Sequence, residues 1–196
     1  MKNKPHVINF FVAVLWVYFA WTFLSYFLIT HKPSALIFFV TNSVTVILFL
    51  FRKNPLATSD KSFDWFCAIA GSFFSMLFRP ASGIFLFGEI FTLIGSLFQL
   101  FGILSLNRSF GIIPANRGIH QRGAYRFIRH PMYLGAIIFC LGFFLANISM
   151  WNGIIFSFIV MAEITRIINE EEFFAKDEEY QKYKAKVRWR LIPYVF

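Results

Sequence analysis

The stretch RFIRHPMYLG, residues 126–135, gathers two arginines, a histidine, a proline and a tyrosine at the start of an apolar run. Arg129, His130 and Tyr133 all offer hydrogen-bond donors, and an imidazole can also accept a bond or move a proton. Pro131 has no N–H and a φ fixed near the helical value, which suits a first helical turn and not a helix interior. A helix is therefore expected to begin at about Pro131. Its unpaired N–H groups and positive dipole end would face Tyr125, Arg129 and His130, a setting for a carboxylate or phosphate. The competing reading is interfacial: Arg126 and Arg129 reach for lipid headgroups while Tyr125 and Tyr133 join an aromatic belt.

A second set of chemistry-bearing residues lies in EITRIINEEEFF, residues 163–174, where Glu163, Arg166 and Glu170 are spaced three and four apart and share one helix face. An intrahelical salt-bridge ladder would account for that spacing. Charged groups at the edge of an apolar run, however, usually face a cavity or a partner helix, not lipid. Carboxylates, arginine, histidine and tyrosines where water meets an apolar groove suit a zwitterionic soluble cofactor meeting an amphiphilic or apolar substrate.

The elements that must hold these residues are membrane helices. The chain is 58% hydrophobic and 15% charged, with 29 phenylalanines and a mean hydropathy of +0.61, more apolar than a soluble domain carries without aggregating. Runs with the length of a membrane-crossing helix lie at about 7–29, 34–51, 63–78, 83–106, 132–147 and 150–168. They are continuous and do not alternate, which excludes barrel strands. The expected fold is an all-α polytopic bundle of about six spans. Only residues 147–150 part the last two, so a tight helical hairpin is expected there, with Trp151 near the interface.

Lysine and arginine placement gives the orientation. One side would carry Lys2, Lys4, Arg52, Lys53, Lys61, five arginines between 108 and 129, and six cations of the tail; the other would carry only Lys32 and Arg79. The positive-inside rule then puts both termini in the cytoplasm. The formal charge of +9 reads as orientation and attraction to anionic membrane lipids, and no nucleic-acid recognition module is visible. The first apolar run is too long for a signal-peptide core and is expected to stay as an anchor. Cys67 and Cys140 lie in spans without soft neighbours at a metal spacing, so they read as small core residues, and neither a metal nor a disulfide is indicated.

Residues 1–106 thus read as a four-span scaffold, and 107–196 as the cofactor-binding and catalytic part of one integrated domain. Glu89 is the exception in the first half: a carboxylate inside a span is a functional candidate or a partner of another buried polar group. Gly111, Pro114, Gly118 and Gly123 among five arginines argue for an ordered loop over 107–131. Over 170–190, Phe173, Tyr180 and Val187 recur every seven residues with Tyr183 beside them, which predicts a helix on the membrane surface or over the bundle.

GAYRFIRHPMYLG, then RIINEE and DEEYQKYKAKVRWRLIP, together resemble the C-terminal half of the isoprenylcysteine carboxyl methyltransferase and phospholipid methyltransferase superfamily. The resemblance covers about residues 107–196. It implies a membrane methyltransferase that uses S-adenosyl-L-methionine on a lipidic or small hydrophobic acceptor, a carboxylate, an amine or a thiol. It implies a cofactor held by Tyr125, by Arg129, His130, Pro131, Met132 and Tyr133, and by Glu170 with Glu171 in support. It sets Arg166 at the substrate and brings Arg117, Gly118, Ile119 and His120 near the cofactor, although their identities match the family poorly. An amine or thiol would need to lose a proton, for which His130 or Glu163 is the nearest acceptor. The stretch between Glu170 and Tyr180 is shorter than in the isoprenylcysteine enzymes. That points to a bacterial-type branch, an inner-membrane location with a cytoplasm-facing site, and an acceptor other than a prenylated one. Two other readings compete: a membrane reductase using a nicotinamide cofactor, and a small transporter using Glu89 and Glu163 as intramembrane polar sites.

Overall fold

The computed structural model describes the backbone of residues 4–196 and side chains from Phe10 onward, so Lys2 and the Lys4 side chain lie outside the described residues. The chain runs α1 (Lys4–Thr30), α2 (Pro33–Leu50), β1 (Ala57–Thr58), α3 (Ser62–Phe73), α4 (Phe85–Leu106), β2 (Ala115–Asn116), α5 (Pro131–Ala146), α6 (Met150–Phe173) and α7 (Glu178–Lys186). Helices α1, α2, α4 and α6 are each long and apolar enough to cross a membrane by themselves. The apolar helices Ser62–Leu77, whose last turn is 3-10, and Pro131–Ala146 are shorter. The outer faces of the helices carry exposed Phe10, Trp21, Phe66, Phe87 and Phe158, the side chains of a surface made for hydrocarbon.

The sheet is a single two-residue antiparallel pair, Ala57 opposite Asn116 and Thr58 opposite Ala115. It fastens the α2–α3 loop to the 107–130 loop, helped by Lys53 N donating to Arg108 O at 2.7 Å.

α5 starts at Pro131, as the missing N–H requires. Its closest neighbour differs from the hairpin expectation: α5 lies against α4 along its length and touches α6 less. Glycines set this. Gly88, Gly95 and Gly102 recur every seven residues on α4 and face Gly135 and Gly142 on α5. A Cβ at Gly95 would come within 2.2 Å of Phe139 N, and one at Gly135 within 2.4 Å of Gln99 N. Removing the side chains lets two backbones approach, which is how helices associate without a hydrophobic drive between them.

At one end of the bundle Lys32 lies over the Phe85 ring at 4.4 Å and Arg79 over Trp151 at 4.2 Å. Asn152, fully buried, ties this end together by accepting from Arg79 N and donating to Arg79 O and Asn147 O. Glu89 accepts from Ser34 N at 3.3 Å, so it meets the first turn of α2, where a carboxylate satisfies an orphan donor. At the other end stand Lys53, Lys61, the 107–130 loop and the tail.

The tail corrects a sequence expectation. Residues 170–190 do not form one helix: α6 ends at Phe173 and α7 begins after Asp177, whose carboxylate accepts from Tyr180 N at 3.0 Å. Asp177 also accepts from Asn116 Nδ2 at 3.0 Å, so the cap anchors the loop as well. The seven-residue pattern still marks a real face, since Phe174, Tyr180, Tyr183 and Val187 are buried together with Phe173 and Ile119 against them.

Candidate active site

Glu171 organises the end of the bundle that carries the tail. It is buried at 6% exposure, yet it meets three cationic groups and an imidazole: Arg129 Nη2 at 2.8 Å, Arg190 Nη2 at 3.1 Å, Lys184 Nζ at 3.8 Å and His130 Nε2 at 3.2 Å. Arg129 also donates through Nη1 to Val187 O and Arg188 O. The backbone N–H groups of Arg129 and His130 donate to Trp189 O and Arg190 O, both at 2.9 Å. The residues just before α5, expected from sequence to offer donors to a ligand, are thus largely spent on holding the tail.

In front of this hub a cavity of about 720 Å³, counting its mouth, opens between the 107–130 loop, the start of α5, the end of α6 and α7. Of the cofactor-binding residues expected from sequence, Gly118, Ile119, His120, Tyr125, Arg129, His130, Met132, Tyr133 and Glu170 line it. Pro131 does not line it, being the helix start that fixes its neighbours, and Glu171 lies behind the wall as the hub of the ion pairs. Arg117, at the head of the loop segment expected near the cofactor, lines it as well, while sequence reasoning missed Phe174, Tyr180 and Tyr183 as lining residues. The seven-residue pattern had marked the tyrosines only as an amphipathic face.

Within the cavity Tyr133 Oη donates to Glu170 Oε2 at 2.8 Å, and His130 Nδ1 stands 3.9 Å from the same oxygen. Tyr183 Oη donates to Tyr125 O at 2.7 Å, locking α7 over the loop. Tyr180 Oη is buried without a partner among the described residues. Burial, with Glu170 and Tyr183 nearby, pushes the Tyr125 phenol well above its ordinary value, and burial does the same to Tyr180 and Tyr183. All three therefore stay protonated as donors. Burial lowers Arg117, partly offset by Glu170. His120 is lowered by burial, with Lys53 and Arg122 adding to the effect.

Glu163 and Arg166 do not line this cavity. They border a second one, of about 610 Å³ counting its opening, which lies among the helices and shares Met132 and Tyr133 as a common wall with the first. Arg166 Nη1 reaches both Glu163 oxygens, at 3.1 and 2.9 Å, and its guanidinium lies 4.8 Å from the Tyr133 ring centroid. Gly71 of α3 makes room for the pair, since a Cβ there would be 2.8 Å from Glu163 Oε1. The helices expected to be scaffold supply much of this second wall, including Asn42 and Gln99.

An apolar helical bundle with a charged cavity at one end, walled off by Met132 and Tyr133 from a partly apolar cavity among its helices, defines the class: an integral membrane protein with two adjoining cavities. The model of the phospholipid methyltransferase family matches residues 79–182, more than half of the chain, and the chain belongs to that family. Two probable protein-S-isoprenylcysteine O-methyltransferases, from Oryza sativa subsp. indica and subsp. japonica, are each 25% identical over 108 residues, 51% of this chain and 56% of theirs. The chain thus spans little more than half the length of the curated relatives it matches.

Proposed function

We propose that the protein is an S-adenosyl-L-methionine-dependent methyltransferase acting on a lipidic or small hydrophobic acceptor, with the first cavity holding the cofactor and the second the acceptor. The observation that carries this is the shared wall: Tyr133 binds Glu170 on the cofactor side and lies against Arg166 on the acceptor side. The donor set of the first cavity fits the cofactor. Glu170 can take ribose hydroxyls or the ammonium, Arg117 and the protonated tyrosines can serve the carboxylate, and Tyr180 Oη is an orphan donor awaiting an acceptor. When bound, S-adenosylmethionine supplies an electrophilic methyl group on a positively charged sulfur.

The chain's own residues then position and shield. His130 and Tyr133 are held by Glu171 and Glu170 and so need little reordering on binding. The tail and α7 cover the cavity and exclude water. Arg166, fixed by Glu163, orients the acceptor. For an amine or thiol acceptor, Glu163 or His130 is the nearest base. The family membership and the relatives named as methyltransferases support the same reading.

Calorimetric titration of S-adenosylhomocysteine into the purified full chain tests it. Wild-type protein should bind, with NADPH failing to compete. Glu170→Ala and His130→Ala should each weaken binding by at least about tenfold, the loss of a charge-assisted hydrogen bond worth roughly 1.5–3 kcal/mol. Equal affinity in both variants and wild type would remove the site assignment.

A further inference from the structure

The second cavity has an asymmetric hydrogen-bonding wall. On α2, Thr41 Oγ1 donates to Ile37 O at 2.8 Å, Asn42 Nδ2 to Phe38 O at 2.7 Å and Thr45 Oγ1 to Thr41 O at 2.7 Å. Each spends a hydrogen on the carbonyl four residues back, so what these side chains present is mainly oxygen lone pairs. Across from them, Gln99 Oε1 is buried with no partner among the described residues. A lone acceptor in an apolar interior costs free energy that a donor would recover.

On the facing side, Arg166 Nε–H is a buried donor left without a partner among the described residues. Arg166 is 7% exposed; Nη1 goes to Glu163 and Nη2 to Ile112 O at 3.1 Å, while Nε has no partner. Both Glu163 oxygens are taken by the same Nη1. The pair is neutral as a unit, so the cavity has no surplus charge to balance a charged guest. The rest of the wall is apolar and aromatic, with Phe38 stacked on Phe139 at 3.8 Å and Trp16 among its lining.

We propose that this cavity receives an uncharged O–H or N–H group on an apolar body, its hydrogen given to Gln99 Oε1 and its lone pair to Arg166 Nε–H, and that it discriminates against carboxylates. A carboxylate would set its charge against Gln99 Oε1 and the α2 oxygens, and the one cation of the lining, Arg166, is already paired with Glu163. An ammonium would find Glu163 already paired. A neutral amine, aniline or hydroxyl carries both a hydrogen for Gln99 Oε1 and a lone pair for Arg166 Nε–H. The proposal rests on the methyltransferase reading only in calling this guest the methyl acceptor. Gln99 and Arg166 then determine acceptor class, and Gln99 lies on a helix outside the quoted motifs.

The test is equilibrium binding by calorimetry to the full chain in detergent, at neutral pH, of 4-octylphenol, 4-octylaniline and 4-octylbenzoate, which share one apolar body. Using one detergent concentration throughout cancels micelle partitioning between proteins. Either neutral probe should bind about tenfold or more tightly than the benzoate, one net hydrogen bond and an unbalanced charge apart. Gln99→Leu should erase that preference, as should the unbranched Gln99→Met if the leucine variant unfolds at a lower temperature. Ala136→Phe, which fills the cavity, should abolish binding of all three. A benzoate that binds as well as the neutral probes, or a preference that survives both Gln99 variants, overturns the proposal. S-adenosylhomocysteine titrated into the same samples separates the two readings. Cofactor affinity without a neutral preference sinks this inference alone, and a neutral preference without cofactor affinity sinks the methyltransferase reading alone.

Discussion

Single residues here act through the company they keep. Arg129 and His130 stood out in sequence as donors for a ligand, but the carboxylate that sits behind them, Glu171, and the tail carbonyls occupy much of their capacity. Nothing in the linear sequence tells an arginine that binds a ligand from one that pins a tail, because the difference is which oxygens arrive from residues 41–60 positions away. His120 carries a prediction at this scale. It lies outside the membrane helices with its pKa held below the ordinary value of about 6.5. The folded state therefore binds fewer protons than the unfolded chain, and stability falls as the pH drops through about 6.5, levelling only below the folded pKa. Melting temperature in detergent, followed from about pH 8 to pH 5, should show a shallower acid-side decline for His120→Gln than for wild type. Parallel curves would contradict it.

Among the elements, the α4–α5 seam and the α6–α7 break show where patterns speak and where they mislead. Pro131 fixed the start of α5 in sequence as in structure, since a residue without an N–H has few other places in a helix. The short α5–α6 turn makes those two helices hairpin neighbours, but it does not make them each other's main partners. The glycine ridge of α4 takes that place, because backbone approach stabilises helix contacts in a medium where burial of apolar side chains does not. Gly95→Ala should therefore destabilise the protein by about 1–3 kcal/mol, the range for overpacking a tight contact, seen as a lowered unfolding temperature in detergent. A variant as stable as wild type would show that the seam can relax. The heptad pattern of the tail predicted the buried face of α7 but not its start, which Asp177 sets by capping Tyr180 N.

On the scale of the whole molecule, the cations divide between two ends: Lys32 and Arg79 at one, and Lys53, Lys61 and the tail at the other. The positive-inside rule assigns the second end to the cytoplasm. Ser82→Cys and Lys182→Cys, both at exposed positions, should label with a membrane-impermeant maleimide from opposite sides of sealed vesicles. The native Cys67 and Cys140 are buried and should stay silent. Labelling of both introduced cysteines from one side would refute the orientation.

The sequence by itself determined the solvent and most of the helices. Continuous apolar runs leave no alternative to membrane helices, and a proline, a polar loop and a charged tail mark their ends through local sterics and solvation. It also brought His130, Tyr133, Arg166 and Glu170 under suspicion, because residues so costly to hide in an apolar chain stand out. Only the tertiary structure decided that these residues serve two cavities divided by Tyr133, that the first four helices furnish the wall of one, and that Gln99 Oε1 and Arg166 Nε are left unpartnered there. Those facts depend on which backbones come close enough to touch, a property of glycine seams and long-range hydrogen bonds that no local pattern encodes.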